Sequence, residues 1–252
     1  MARQKLGQHF LVKGSILERI ATAACPSPGE TVIEIGPGRG ALTEKLLGRA
    51  ARVIAIELDP YLAEHLRGKF AGEPRLEIVE ADALEIDLAQ FGCVNIAGNL
   101  PYYAASPIVR KAVRLAPPRA AFLVQKEMAL RLAASPGPRE YGLLTVETAL
   151  FAKARLLFEV KPSAFHPPPK VDSALVVFEP NAVPPPPDAD EFLRFVSRAF
   201  QHKRKTLRNN LAEFYGKDAI GDWPEAGMRA EKISLEGFLD MWRRLRAAPP
   251  EG

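Results

Sequence analysis

The chain has 252 residues, 47% of them apolar and 25% charged, with a formal net charge of +4. That length supports one large domain, or one large and one small, with a sizeable core. No run of about 18 apolar residues occurs, so no membrane-spanning helix is expected, and Met1-Ala2-Arg3-Gln4-Lys5 begins no apolar signal core, so a cytoplasmic protein is expected.

Residues 1–14 are basic and polar around Phe10-Leu11 and read as an arm. Ser15 then reads as an N-cap, followed by Ile16, Leu17, Ile20 and Ala24 at helical spacing. Strands and helices alternate beyond Gly29. Thr31–Ile35, Arg52–Ile56, Leu76–Val79, Val94–Ala97 and Ala120–Val124 read as strands. Ala41–Leu47, Pro60–Phe70, Ser106–Leu115 and Glu127–Ala133 read as helices. Such repetition with apolar, β-branched strands predicts an α/β fold whose parallel sheet is covered on both faces. Leu156–Val160 and Ala174–Phe178 are two further strands. The proline-rich loop between them has no room for a crossover helix, so they should pair antiparallel at one end of the sheet.

Pro184–Pro187 is a run of four prolines and reads as a stiff linker. Beyond it Glu191–Phe200, Lys203–Tyr215 and Leu235–Leu245 read as helices. A domain boundary is therefore expected near residue 184, dividing 1–183 from a helical 184–252. Cys25 and Cys93 lie in apolar contexts and read as buried thiols. No Cys/His cluster has zinc spacing and the four histidines are scattered, so no metal site is expected.

Val32 to Gly40 reads Val-Ile-Glu-Ile-Gly-Pro-Gly-Arg-Gly. A strand enters a turn in which Gly36 and Gly38 let backbone approach a ligand, and a helix follows. The pattern is not the Gly-X-Gly-X-X-Gly of dinucleotide folds. Glu57 ends the next strand, about 20 residues on, where an acid would accept both hydroxyls of a ribose; its structural alternative is a solvated strand end. Asp82 ends the third strand and would accept a bond from an adenine amine, or else cap a short helix. Together these favour S-adenosylmethionine or a dinucleotide over no ligand.

Asn99-Leu100-Pro101-Tyr102 follows the fourth strand. An aromatic exocyclic amine is a poor nucleophile because its lone pair is delocalised. The Asn99 side-chain carbonyl and the Leu100 backbone carbonyl would accept its two N–H groups and turn the lone pair toward a methyl donor. Pro101 restrains its predecessor away from the helical region, and Tyr102 offers a stacking face. The structural alternative is an Asn-Leu-Pro turn with a core tyrosine.

With these residues in place the chain resembles the ribosomal RNA adenine dimethyltransferase family, and within it the small-subunit branch. Lys5-Leu6-Gly7-Gln8-His9-Phe10-Leu11 is similar to the family's N-terminal motif. Gly36-Pro37-Gly38, Glu57, Asp82 and Asn99–Tyr102 match its cofactor and catalytic motifs. Gln125-Lys126-Glu127 with Arg131, Tyr141-Gly142, and Phe165–Ser173 match further blocks. The resemblance implies a Rossmann-like class I S-adenosylmethionine methyltransferase sheet with an antiparallel end strand, plus a small all-helical C-terminal domain. It implies that His9, Leu11, Gly36, Gly38, Glu57, Asp82 and Asn99 contact S-adenosylmethionine. It makes Asn99, Leu100, Pro101, Tyr102 and Phe165 the catalytic set, with Phe165 across the target adenine from Tyr102. From the residues alone Phe165 reads as core.

From Arg194 to Asn210 there are six Lys/Arg and no acid, the composition of a phosphate-binding surface. Lys203, Arg204, Lys205 and Arg208 would form it on one helix, with a solvated helix face as the alternative. The segment resembles the Arg-Arg-Lys-Thr-Leu signature of the small-subunit branch, with lysine for the first arginine. The expected reaction is therefore dimethylation of two adjacent adenines in the 3′-terminal hairpin loop of 16S rRNA, by a monomer acting on the assembling 30S subunit. The alternatives are a 23S rRNA enzyme of the macrolide-resistance branch, an assembly factor acting mainly by binding, and a nicotinamide-dependent oxidoreductase.

Overall fold

The computed structural model describes residues 9–247. Lys5 to Gln8 of the N-terminal motif thus lie outside the described residues. In chain order the elements begin with β1 (Phe10–Leu11), α1 (Gly14–Ala24), β2 (Thr31–Ile35), α2 (Ala41–Leu47), β3 (Arg52–Glu57) and α3 (Pro60–Lys69). Next come β4 (Leu76–Glu80), β5 (Asn95–Asn99), α4 (Ala105–Arg114), β6 (Ala120–Gln125), α5 (Lys126–Leu132) and α6 (Leu143–Ala149). Then follow β7 (Ala152–Val160), β8 (Phe165–His166), β9 (Ser173–Pro180), α7 (Ala189–Ala199), α8 (Leu207–Tyr215), α9 (Lys217–Gly221) and α10 (Leu235–Ala247).

Seven strands form one sheet in the order β4-β3-β2-β5-β6-β9-β7. The first five run parallel. β9 pairs antiparallel with both β6 and β7, the antiparallel end that the short proline-rich connection predicts. The inner parallel strands β2, β3, β5 and β6 are largely buried because helices cover both faces, while β4 at the edge is half-buried. The core on one side of the sheet takes Ile20, Ala21 and Ala24 of α1, Leu42 and Leu46 of α2, and Val32, Val53 and Leu175 of the strands. At about 25 cal/mol per Å2 of apolar surface removed from water, this burial is the main favourable term for the fold. β1 pairs separately with β8, setting Leu11 opposite Phe165 and Phe10 opposite His166.

Local chemistry sets the element ends. Asp59 caps α3, accepting from the Tyr61 N–H at 2.9 Å, with Pro60 in the first turn. Ser15 is not a cap: α1 starts at Gly14 after Lys13, and no side chain caps it. α8 starts at Leu207 rather than Lys203, because the Thr206 hydroxyl accepts from the Asn209 N–H at 3.4 Å and so terminates the turn before it. Helix α6 is absent from the sequence expectation; its run Leu-Leu-Thr-Val-Glu-Thr-Ala mixes helix formers with β-branched residues. Cys25 is buried as expected, but Cys93 is exposed, in the loop after Gly92.

By its internal contacts the chain divides into two compact units. One comprises the residues up to Ala129 with Ala152–Asn181; the other comprises Leu130–Phe151 with the residues from Ala182 onward. A single cut near 184 leaves residues 130–151 on the wrong side of this division. In the helical unit Phe195 sits at the centre of an aromatic core, 5.5 Å from the Trp242 ring and 6.5 Å from Phe238. Tyr141, 6.3 Å from Phe200, joins the same core. The Trp242 indole N–H donates to Asp188 at 2.8 Å, fastening α10 to the start of α7.

Candidate active site

The carboxyl ends of β2, β3, β4 and β5 open into one cavity of about 260 Å3. All eleven residues assigned from the sequence to cofactor or catalysis line it: His9, Leu11, Gly36, Gly38, Glu57, Asp82, Asn99, Leu100, Pro101, Tyr102 and Phe165.

The turn after β2 needs its glycines. Gly38 has φ +59°, and a Cβ there would lie 3.0 Å from the Phe10 ring. The Gly38 N–H donates to Glu57 Oε2 at 3.0 Å, and the Asp59 N–H donates to Glu57 Oε1 at 3.0 Å. Both carboxylate oxygens are thus held in place, each with a lone pair left over. Glu57 is buried, and burial pushes its carboxyl up, while the N–H bonds from Asp59 and Gly38 pull it down. Asp82 lies in the turn just after β4. Its Oδ1 accepts from the Leu84 N–H at 2.8 Å, capping the turn that follows β4, and the residue still lines the cavity.

Asn99 comes next to the glycine turn because of Gly98. A Cβ at Gly98 would lie 2.6 Å from the Ile35 carbonyl oxygen, so only glycine lets β5 run this close to the end of β2. The Asn99 Nδ2 donates to the His9 carbonyl oxygen at 3.2 Å. A carbonyl accepts and never donates, so the amide group has one orientation, with Oδ1 as its other end. The His9 ring lies 5.8 Å from the Tyr102 ring, and its Nδ1 is 2.8 Å from the Pro167 carbonyl oxygen. The Tyr102 hydroxyl is 3.0 Å from Ser173 Oγ, and burial pushes its pKa up. Phe165, 5% exposed, belongs both to the core and to the cavity wall. Of its two sequence readings, the core one is borne out.

The arrangement combines a backbone cradle, carboxylates at or just after two adjacent strand ends, and an amide acceptor in a cavity that Tyr102 and Phe165 also line. That donor set suits a nucleoside carrying a small polar tail beside a flat base with an amine. A family model for ribosomal RNA adenine dimethylase matches residues 1–246. The chain belongs to that family.

Relatives of this dimethylase agree in length and fold. It is 40% identical over 255 residues to the ribosomal RNA small subunit methyltransferase A of Chlorobium chlorochromatii (strain CaD3), covering 97% of this chain and 94% of that one. It is 41% identical over 257 residues to the protein of the same name from Acidobacterium capsulatum, covering 96% and 91%. Among solved structures, a dimethyladenosine transferase from Plasmodium falciparum superimposes with a TM-score of 0.79 at 28% identity, over 94% of this chain and 98% of that one. The 23S rRNA methyltransferase ErmE superimposes with a TM-score of 0.72 at 27% identity, over 94% and 99%. The dimethylase is thus a class I methyltransferase, and its family uses S-adenosylmethionine.

Other cavity residues escaped the sequence reading. Leu58 and Leu84 line the cavity beside the two acids; an apolar residue one or two positions after a strand-end acid was the available signal. Glu34 lines it too, 1% exposed. The Thr43 hydroxyl donates to Glu34 Oε2 at 2.6 Å. Burial pushes the Glu34 carboxyl up to about 8, the Thr43 bond opposing it.

The four basic residues belong to the helical unit and do not share one helix face. Lys203, Arg204 and Lys205 are exposed in the turn before α8. Arg208 is on α8, and its guanidinium donates to the Gly221 carbonyl. The Asn210 side-chain amide shapes the turn, donating to the carbonyls of Ala199 at 2.7 Å and His202 at 3.2 Å.

Proposed function

We propose that the dimethylase transfers two methyl groups to the exocyclic amine of each of two adjacent adenines in the 3′-terminal hairpin loop of 16S rRNA, on the assembling small ribosomal subunit. The observation that carries this is the single cavity joining Glu57 and Asp82 to the oriented Asn99 amide and the rings of Tyr102 and Phe165. The choice of the small subunit rests on the relatives at about 40% identity along nearly the whole chain.

In this reading Gly36, Gly38, Glu57 and Asp82 hold the cofactor, with Glu57 on the ribose hydroxyls and Asp82 on the adenine. His9 and Leu11 close the site from the arm. When bound, S-adenosylmethionine supplies an electrophilic methyl group. The protein's own contribution is positioning and electrostatics. Asn99 Oδ1 and the Leu100 carbonyl accept the two N–H groups of the target amine and turn its lone pair out of the ring. Tyr102 and Phe165 replace the π-faces that the base loses when it leaves its stack. The amine becomes acidic as it gains its new bond, so its proton passes to solvent without a general base.

Residues 1–183 would supply the chemistry and the helical residues from 184 the rRNA contact. Lys203, Arg204 and Lys205 would meet phosphates. The protein would act as a cytoplasmic monomer. The test is mass spectrometry of rRNA fragments after 30S particles are incubated with the protein and S-adenosylmethionine. Two adjacent dimethyladenines near the 3′ end of 16S rRNA are expected; methylation of a 23S transcript and not of 30S particles would overturn the assignment.

A further inference from the structure

Lys111 stands on α4, the helix that begins just after Asn99–Tyr103. It is half-buried, and no sequence motif singles it out. Its ammonium donates to the Leu84 carbonyl at 2.7 Å and to the Ile86 carbonyl at 2.6 Å. Those carbonyls belong to the turn that Asp82 opens. Three of the turn's N–H groups are satisfied from within. Asp82 Oδ1 takes the Leu84 N–H, and the Asp82 carbonyl takes those of Glu85 at 3.0 Å and Ile86 at 2.9 Å. Its outward carbonyls are satisfied by the lysine. Asp82, Ala83 and Leu84 of this turn line the cavity, as does Ile108, one turn before Lys111 on the same helix.

We propose that Lys111 is a positioning residue that sets the adenine specificity of the cofactor site: by gripping two carbonyls of the 82–86 turn it fixes where the Asp82 carboxylate meets the base. The proposal rests on the reading of Asp82 as the acceptor of the adenine amine. Charge-assisted bonds to both carbonyls are the strong kind and constrain direction as well as distance. A turn held only by its own N–H bonds could rotate its carboxylate away. With the lysine in place, the adenine end of the site is tied to the helix that follows Asn99–Tyr103.

The test compares binding of S-adenosylhomocysteine with that of S-inosylhomocysteine by calorimetry on the full chain. The second ligand has a ring carbonyl where the first has the amine, so an acceptor at Asp82 should disfavour it. Wild type is expected to prefer S-adenosylhomocysteine. Lys111→Met should weaken that ligand by about tenfold, the scale on which hydrogen bonds that hold a ligating group change its affinity, and should narrow the preference. The cofactor KM should rise with it, while kcat at saturating cofactor stays within about threefold of wild type. Should the methionine variant not fold, Lys111→Gln, shorter and uncharged, carries the test in the same direction. A folded variant that keeps both the affinity and the preference overturns the proposal. A wild type with no preference overturns the reading of Asp82, and the proposal with it.

Discussion

The Asn99 side-chain amide donates to the main-chain carbonyl of His9 at 3.2 Å. Ninety residues of chain separate the two, and the bond fixes which end of the amide remains for a substrate. An acceptor is what a target amine needs. Asn99→Ala removes it and should lower methyl transfer by roughly 100-fold or more, the cost of losing one preorganised hydrogen-bond partner. S-adenosylhomocysteine should still bind, and the melting temperature should move little, because Asn99 is not a core residue. Single-turnover methylation of 30S particles measures the loss; a variant retaining a tenth of wild-type activity would remove Asn99 from the chemistry.

Tyr102 and Phe165 are expected to differ on substitution. Tyr102→Phe keeps the ring and loses the contact with Ser173 Oγ, a neutral bond worth about 1 kcal/mol. Activity should survive it. Tyr102→Ala loses the stacking face, worth about 1–3 kcal/mol per base, and should fall well below the phenylalanine variant. Phe165→Ala also opens the core at a cost of about 3–5 kcal/mol. Phe165→Leu therefore isolates the ring, and lost activity at nearly unchanged melting temperature is the expected result.

The strands could be read from sequence because burial on both faces leaves a run of apolar residues, and Thr31–Ile35 and Ala41–Leu47 match the structure end for end. Gly36, Gly38, Glu57 and Asp82 could be read from their places at strand ends, whereas His9, Leu11 and Phe165 came only with the family resemblance. What could not be read depends on contacts distant in sequence. Lys111 has no local signature; it matters only through carbonyls twenty-five and twenty-seven residues earlier. Leu143–Ala149 forms a helix because tertiary packing overrides its β-branched residues. Gly98 resembles any glycine until the Ile35 carbonyl is seen 2.6 Å from where its Cβ would lie.

That approach makes Gly98→Ala a sensitive probe. The added methyl would meet main chain rather than a flexible side chain, with the Leu100 side chain at 2.9 Å on its other flank. β5 must shift away from β2, which moves Asn99. The expected cost is about 1–3 kcal/mol of stability, read as a lowered denaturant midpoint. Activity at a temperature where the variant is fully folded should fall further than that loss explains. Unchanged activity would mean that the end of β5 tolerates displacement.

Glu34 predicts a pH dependence. Its carboxyl titrates near 4.5 in an unfolded chain and near 8 in the fold. Between these values the folded state keeps a proton that the unfolded state has released. Stability of the ligand-free protein from this group is therefore complete below about pH 4.5 and is lost as pH rises toward about 8. Glu34→Gln keeps an acceptor for the Thr43 hydroxyl and removes the titration. Relative to the glutamine variant, the wild-type melting temperature should drop steadily through this window and then run level. Parallel curves from pH 4.5 to 8 would show that Glu34 is charged in the fold.

The basic residues of the helical unit should separate into two kinds. Lys203, Arg204 and Lys205 are exposed in a turn, open to a phosphate. Neutralising all three should weaken rRNA binding and flatten the dependence of log affinity on log salt by about 2–3, since each phosphate contact contributes about 0.7–0.9 to the slope. Arg208 differs. Its guanidinium is bonded to the Gly221 carbonyl at the end of α9, and its own N–H donates to the Ala226 carbonyl at 3.0 Å. Arg208→Ala should therefore lower the melting temperature while changing the salt slope by less than about 0.5. Filter binding across a salt series, with melting measured on the same variants, distinguishes the two. A full unit of slope lost with Arg208 would mean that the Gly221 contact gives way to a phosphate when RNA binds.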